Sequence, residues 1–106
     1  MWEENLKLFD QAAAEAGLER KGKSMPYTSA NGHMFSLLNK DGELGVRLSK
    51  EAGQAFMEQY ESGQFRSHGA NMRGYVLVPQ DRLADTSFLV SLLKQGYAYA
   101  MTLEPK

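Results

Sequence analysis

The chain of 106 residues carries a formal net charge of −1 and contains no cysteine. This charge gives no general attraction to nucleic acid or to an anionic membrane, and a chain without cysteine has no disulfide or thiol chemistry. The length is typical of one domain over residues 1–106, and no apolar run approaches the roughly 18 residues that span a membrane. The acidic, amphipathic N-terminus is unlike a signal peptide, so we expect a cytoplasmic protein without a membrane partner.

The first predicted element is a helix over residues 2–17. Its apolar side chains recur at alternating steps of four and three, which is the spacing of one helical face. They are Trp2, Leu6, Phe9, Ala13 and Ala16. Gly17 can end this helix because glycine readily adopts the left-handed conformation that helix ends favour. The segment "ERKGKS" follows as a solvated basic connection.

Two short turns are predicted next. Asn31-Gly32 and Asp41-Gly42 both supply the positive φ angles that two-residue hairpin loops require. They predict a three-stranded antiparallel meander over residues 25–30, 33–40 and 43–49.

Two-residue loops would fix the pairing of these strands. Side chains alternate between the two faces of a sheet, so the pairing also assigns each residue to a face. The predicted core face carries Phe35, Leu37, Val46 and Leu48. A polar row of Tyr27, Ser36 and Arg47 is predicted to cross the opposite face.

The second half of the chain predicts a helix, a strand and a further helix. Ser49 fits the N-cap of a helix over residues 50–62, with Gly63 as its stop. Residues 74–79 are predicted to form a fourth strand, and Asp81 or Asp85 can cap a helix over 85–101. The expected fold is therefore α+β: an antiparallel sheet, made of the meander plus a further strand, flanked by about three helices.

The stretch "SHGANMRGYVLVP", Ser67 to Pro79, allows two interpretations. Gly69 and Gly74 suit an irregular bend or a bulge before the fourth strand. Alternatively, it is a binding loop, in which His68 and Arg73 join Tyr27 and Arg47 on the polar face. Two guanidinium groups beside ring donors would then form a small patch that favours anions. The candidate binding residues are therefore Tyr27, Ser36, Arg47, His68 and Arg73.

No catalytic or metal-binding pattern stands out. His33 and His68 are the only histidines, and neither has a second ligand at helical or turn spacing. Ser67 and His68 are neighbours, but adjacent side chains point in different directions, and no nucleophile motif surrounds them. The glycines near residue 70 lack the Gly-Lys-Ser/Thr ending of a phosphate loop. We therefore expect no metal, no cofactor and no enzymatic activity.

Three short motifs resemble the N-terminal domain of the TfoX family, bacterial proteins associated with the control of competence for DNA uptake. The first is Gly32-His33-Met34-Phe35-Ser36 followed by Asp41-Gly42-Glu43. The second, Met72-Arg73-Gly74-Tyr75-Val76, resembles the family's start of a strand. The third is Tyr97-Ala98 with the closing Leu103-Glu104-Pro105-Lys106. Their order and spacing together span nearly the whole chain.

The sequence also departs from the family pattern. Met25-Pro26-Tyr27-Thr28 stands where many members have Met-Phe-Gly-Gly, and the chain ends at Lys106 where the competence regulators continue into a second, helical domain. The resemblance implies a stand-alone copy of the first domain, with an α+β fold and no established catalytic residues.

Two functions remain open. The first is a non-enzymatic regulatory module that acts through contacts with a protein partner or with itself, and a homodimer is predicted because Trp2 is an aromatic residue at the start of an amphipathic helix. The alternative is a protein, or minor enzyme, that binds a small ligand or anion on the polar face. Direct nucleic-acid binding is not expected at a net charge of −1.

Overall fold

A computed structural model describes all residues, 1–106. In chain order, the elements are α1 (Trp2–Glu15), β1 (Tyr27–Ala30), β2 (His33–Leu38), β3 (Leu44–Arg47), α2 (Lys50–Tyr60), β4 (Gln64–Ser67), β5 (Ala70–Leu77) and α3 (Thr86–Thr102), with one short 3-10 turn at Gln80–Arg82. The five strands form one antiparallel sheet in the order β1-β2-β3-β5-β4. The predicted α+β class is confirmed, and the sheet has one strand more than expected. None of the helices combines the length and apolar character needed to cross a membrane.

Local signals place most helix ends. The Ser49 hydroxyl accepts a hydrogen bond from the backbone N–H of Ala52 and caps the start of α2. The Asp85 carboxylate accepts one from the backbone N–H of Phe88 and caps the start of α3. Gly17 follows α1 with a φ of 76°, as predicted. The prediction that Gly63 stops α2 is wrong, because Glu61 already adopts the left-handed conformation, at a φ of 51°, and ends the helix.

The main core lies between the three helices and one side of the sheet, which we call the helix-covered face. It contains 14 buried apolar residues, contributed by α1, α2, α3, the strands and the connecting segments. Among them are Phe9, Phe56, Leu93, Val46 and Val76. Gly96 lets α3 approach the sheet closely, since a Cβ there would lie 2.9 Å from side-chain atoms of both Phe35 and Val46. This contact explains a glycine within a helix, where it costs about 1 kcal/mol relative to alanine.

The opposite side of the sheet, the open face, holds a second and smaller cluster to which no helix contributes. Leu37, Phe65 and Tyr75 are buried in it. The Phe65 ring lies directly on Gly45, where a Cβ would be only 2.4 Å from ring atoms. Partly buried side chains surround this cluster: Met25, Tyr27, Met34, Met72 and Leu77.

The predicted register between β2 and β3 is wrong by one residue. Ser36 pairs with Val46 rather than with Arg47, and Leu37 pairs with Gly45. The turn has three residues instead of two, because the Asn39 side-chain oxygen accepts from the backbone N–H groups of Asp41 and Glu43 and widens the loop. Since a shift of one residue reverses the faces, Leu37 lies on the open face and not in the predicted core set.

The Asn31-Gly32 turn is confirmed, with Ala30 opposite His33 and both turn residues at positive φ. Beyond it, the pairing shifts at a bulge, so Thr28 faces Ser36 instead of Phe35. Ser36 is fully buried and shares a hydrogen bond with the Thr28 hydroxyl. The polar row of Tyr27, Ser36 and Arg47 therefore does not form.

The stretch from Ser67 to Pro79 contains the bulge that its glycines predict, but most of it is strand and not a binding loop. It begins inside a β-hairpin, in which Ser67 pairs with Ala70 and the two turn residues, His68 and Gly69, have φ angles of 55° and 76°. Strand β5 then bulges, since the pairing with β4 shifts between Gln64 and Arg66. Gly74, at a φ of 85°, lies in this bulge.

Candidate functional site

The bulge in β5 forms one side of a basic groove with a cavity volume of about 410 Å³. Its other walls come from the end of β3, the first turns of α2 and the last turns of α3. The side chains that define the groove are Arg47, Lys50, Arg73, Tyr75 and Tyr99. Its lining includes three cationic side chains and no aspartate or glutamate. The basic groove therefore attracts negatively charged groups.

Arg47 is the central cation of the basic groove. It is half-buried, and its guanidinium carbon lies 5.8 Å from the ring centroid of Tyr99. The two ion pairs in the protein join Arg20 to Asp10 and Arg82 to Asp85, so no carboxylate neutralises Arg47. A half-buried guanidinium without a carboxylate partner can bind a carboxylate or phosphate by donating two parallel N–H hydrogen bonds to its oxygens.

Tyr75 forms the inner edge of the basic groove and remains neutral at physiological pH. Burial raises the pKa of its phenol to about 12, although the nearby charge of Arg47 acts in the opposite direction. The Tyr75 hydroxyl donates to the backbone oxygen of Met34 at 2.8 Å. This hydrogen bond fixes the ring, so Tyr75 contributes a rigid wall and no charge.

The structure brings together only two of the five predicted binding residues. Arg47 and Arg73 line the basic groove. Ser36 is buried beside Thr28 on the helix-covered face. Tyr27 packs against the cluster on the open face, and His68 lies at the tip of the β4–β5 hairpin. The predicted patch of Tyr27, Ser36, Arg47, His68 and Arg73 is thus dispersed over four regions.

A second concave region, the hairpin cleft, lies between the β2–β3 turn and the tip of the β4–β5 hairpin. Its cavity volume is about 180 Å³, and all but one of its lining residues are polar, charged or glycine. Asn39, buried at the base, joins the two hairpins by donating from Nδ2 to the backbone oxygen of Arg66 at 2.8 Å. His68 lines this hairpin cleft instead of the basic groove.

Ser67 and His68 do not form a nucleophile–base pair. Ser67 is buried, whereas His68 is exposed at the turn, and no hydrogen bond joins them. His33 lies elsewhere, with Nε2 2.7 Å from the backbone oxygen of Glu104. No group of three or more histidine, aspartate or glutamate side chains is arranged to hold a metal ion.

Sequence reasoning missed Lys50 and Tyr99 in the basic groove, and Asn39 and Ser67 in the hairpin cleft. Lys50 and Tyr99 lie far from Arg73 in the sequence and meet it only through packing. Asn39 carried a detectable signal, since asparagine before a turn often bonds to backbone N–H groups two residues ahead. Ser67 carried no such signal, because its burial follows from the β4–β5 hairpin, which the sequence did not predict.

Comparison of the sequence with family models finds no match, and a search among curated proteins finds no similar protein.

Proposed function

We propose that this protein is a small non-enzymatic binding module that takes up an acidic segment of a partner protein in its basic groove. The observation that carries the proposal is Arg47, a half-buried guanidinium with no carboxylate partner inside the molecule. Arg73 supplies a second cation to the same groove, and Tyr75 and Tyr99 supply aromatic walls. Arginine and tyrosine together are typical of the residues that dominate binding energy at protein interfaces.

The proposal includes a distant relationship to the N-terminal domain of the TfoX family, and hence a regulatory role. The short motifs around Phe35, Arg73 and Tyr97 support it, as does the α+β fold that the resemblance implies. A location in the bacterial cytoplasm belongs to the same proposal and is supported by the lack of cysteine.

Self-association remains a prediction, but Trp2 no longer supports it. The indole Nε1 donates to the backbone oxygen of Asn39 at 3.1 Å, and the ring packs against the main core. Trp2 is therefore used within the molecule. Sedimentation that shows a monomer at high micromolar concentration would exclude a homodimer.

A labelled peptide rich in glutamate, with one central aromatic residue, tests the proposed function. Fluorescence anisotropy should show saturable binding, and Arg47→Ala should weaken it at least tenfold, because a hydrogen bond to a charged group contributes roughly 1.5–3 kcal/mol. Arg66→Ala is the matched control, since Arg66 is an exposed arginine outside the basic groove. Equal losses in the two variants would indicate a non-specific charge effect and contradict the proposal.

A small anionic ligand is the second candidate, because the basic groove has the volume of an ordinary ligand pocket, about 300–1,000 Å³. Citrate and inorganic phosphate distinguish the two candidates. If either competes with the peptide at low micromolar concentration, a small anion is favoured. Binding of single-stranded nucleic acid that disappears at modest salt would instead indicate a non-specific phosphate contact.

A further inference from the structure

Beyond the basic groove, the hairpin cleft has the features of a second binding site. We propose that it binds a small zwitterion, a molecule of amino-acid size that carries one ammonium and one carboxylate group. The proposal rests on an unpaired buried hydroxyl, on a fixed frame and on opposite charges that line the hairpin cleft without pairing to each other.

The hydroxyl belongs to Ser67, whose side chain is only 5% exposed. Its Oγ is the one buried side-chain polar atom in the protein without a hydrogen-bond partner. Burial alternates along β4, so Ser67 lies on the same face as Phe65, towards the hairpin cleft that it lines. A buried hydroxyl without a partner costs about 1–3 kcal/mol, and a ligand that bonds to it recovers this cost.

The frame is held by Asn39, which is 3% exposed. Its side-chain oxygen accepts from the backbone of Asp41 and Glu43, and its Nδ2 donates to Glu43 Oε1 at 3.0 Å and to the Arg66 backbone. This one side chain fixes the β2–β3 turn against β4. The hairpin cleft is therefore preorganised, which reduces the entropy lost when a ligand binds.

Both signs of charge line the hairpin cleft. Lys40, Arg66 and His68 provide donors, and Asp41 and Glu43 provide carboxylates. The Arg66 guanidinium also donates to Asn71 and to the Gly69 backbone oxygen. No ion pair joins these groups, and the side chains of Lys40, Asp41 and His68 make no hydrogen bond within the protein. A ligand with one charge of each sign satisfies both sets, whereas a simple anion or cation leaves one set facing a like charge.

The size of the hairpin cleft limits the ligand. Its volume of about 180 Å³ is below the range of about 300–1,000 Å³ that is typical for drug-sized ligands. Met25 is the only apolar residue in its lining, so a bulky apolar side chain has no matching surface. Small polar amino acids, such as glycine or serine, fit this description best.

The test is a titration of the full chain with glycine, serine and glutamate, followed by backbone amide NMR shifts. We expect saturable shifts confined to residues 39–43 and 66–69, with acetate and methylamine at least tenfold weaker because each carries only one of the two charges. Ser67→Ala should weaken binding about fivefold, which is the loss of one ordinary hydrogen bond. Ser87→Ala, an exposed serine on α3, is the matched control and should bind as the parent does.

Asp41→Asn is a second, independent variant, and its side chain is exposed, so the substitution should not disturb folding. It should weaken binding of the zwitterions, and acetate should bind equally or more tightly because one like charge is removed. Three results would each overturn the proposal: no saturable shift with any zwitterion, acetate that binds as tightly as glycine, or unchanged binding in both variants. The basic groove lies elsewhere on the protein, so none of these results affects the proposed acidic-peptide site.

Discussion

The two faces of the sheet differ in what they bury and in what they leave unsatisfied. The helix-covered face has 14 buried apolar residues, and its buried hydroxyls, on Thr28 and Ser36, bond to each other. The open face has three buried apolar residues and the unpaired Ser67. Both candidate sites border the open face, since Tyr75 lines the basic groove and Met25 lines the hairpin cleft. One face mainly stabilises the protein, and the other borders both candidate sites.

The largest expected losses of stability come from removing one phenylalanine on each face. Phe9 and Phe65 are both fully buried, but only Phe9 belongs to the main core. Phe9→Ala should lower the free energy of unfolding by about 4 kcal/mol and Phe65→Ala by about 3 kcal/mol, because the partly exposed methionines around Phe65 can collapse into the cavity. Urea unfolding measures both values. A larger loss of unfolding free energy in Phe65→Ala than in Phe9→Ala would show that the side chains around Phe65 do not collapse into the cavity.

A methyl group added under Phe65 tests the close contact on the open face. Gly45→Ala would place Cβ 2.4 Å from the ring, so we expect a loss of about 3 kcal/mol from forced displacement of Phe65. In a Phe65→Ala background the same substitution should cost less than about 1 kcal/mol, because the ring is gone.

Gly63→Ala is the control for Gly45→Ala. Nothing lies within 4 Å of a Cβ at Gly63, and its φ is not positive, so the substitution should leave unfolding almost unchanged. Additive losses in the Gly45 and Phe65 double variant would show that the ring is not what excludes a side chain at residue 45.

The phenol of Tyr75 makes stability on the open face depend on pH in the alkaline range. Burial raises its pKa from 10.0 to about 12 in the folded protein. The folded form therefore retains its proton more strongly than the unfolded chain, so this stabilisation is complete below pH 10 and is lost as the pH rises towards 12. We expect a loss of about 2 kcal/mol over that interval. In Tyr75→Phe the free energy of unfolding should vary much less between pH 10 and pH 12. If it varies as in the parent, groups other than Tyr75 cause the loss.

The smallest expected effects come from removing a buried serine hydroxyl on each face. Ser36→Ala leaves the Thr28 hydroxyl buried without a partner and should cost about 1.5 kcal/mol. Ser67→Ala removes a hydroxyl that has no partner, so stability should stay within about 0.5 kcal/mol or rise. Thermal unfolding of the two variants measures the contrast, and equal losses would show that Ser67 is already satisfied.

Sequence reasoning located the features that depend on a few neighbouring residues. The caps Ser49 and Asp85 and the Asn31-Gly32 turn all lie where the pattern places them. These features arise from backbone preferences and local hydrogen bonds, which the adjacent side chains determine. The apolar stripes of the helices follow from the same local periodicity, and together they were sufficient for the α+β class.

Strand β4 could not be predicted from its own residues. Its sequence, "QFRS", contains one large apolar residue, too little for a detectable alternation, and it forms because β5 offers a partner. Arg47 and Arg73 were among the expected binding residues. Lys50, at the start of α2, and Tyr99, near the end of α3, line the same groove only because the tertiary fold brings these elements together.

By itself, the sequence determined the fold class, the three helices, the first turn and the presence of Arg47 and Arg73 near the sheet. Only the tertiary structure decided the β2–β3 register, the faces of Leu37 and Ser36, and the composition of the two candidate sites. The physical reason is that a single hydrogen-bonding side chain, Asn39, adds one residue to a turn, and a shift of one residue changes which side chains of the two paired strands share a face. The residues that line a surface of the sheet depend on strand register in the same way, because a turn at the end of the strands determines that register.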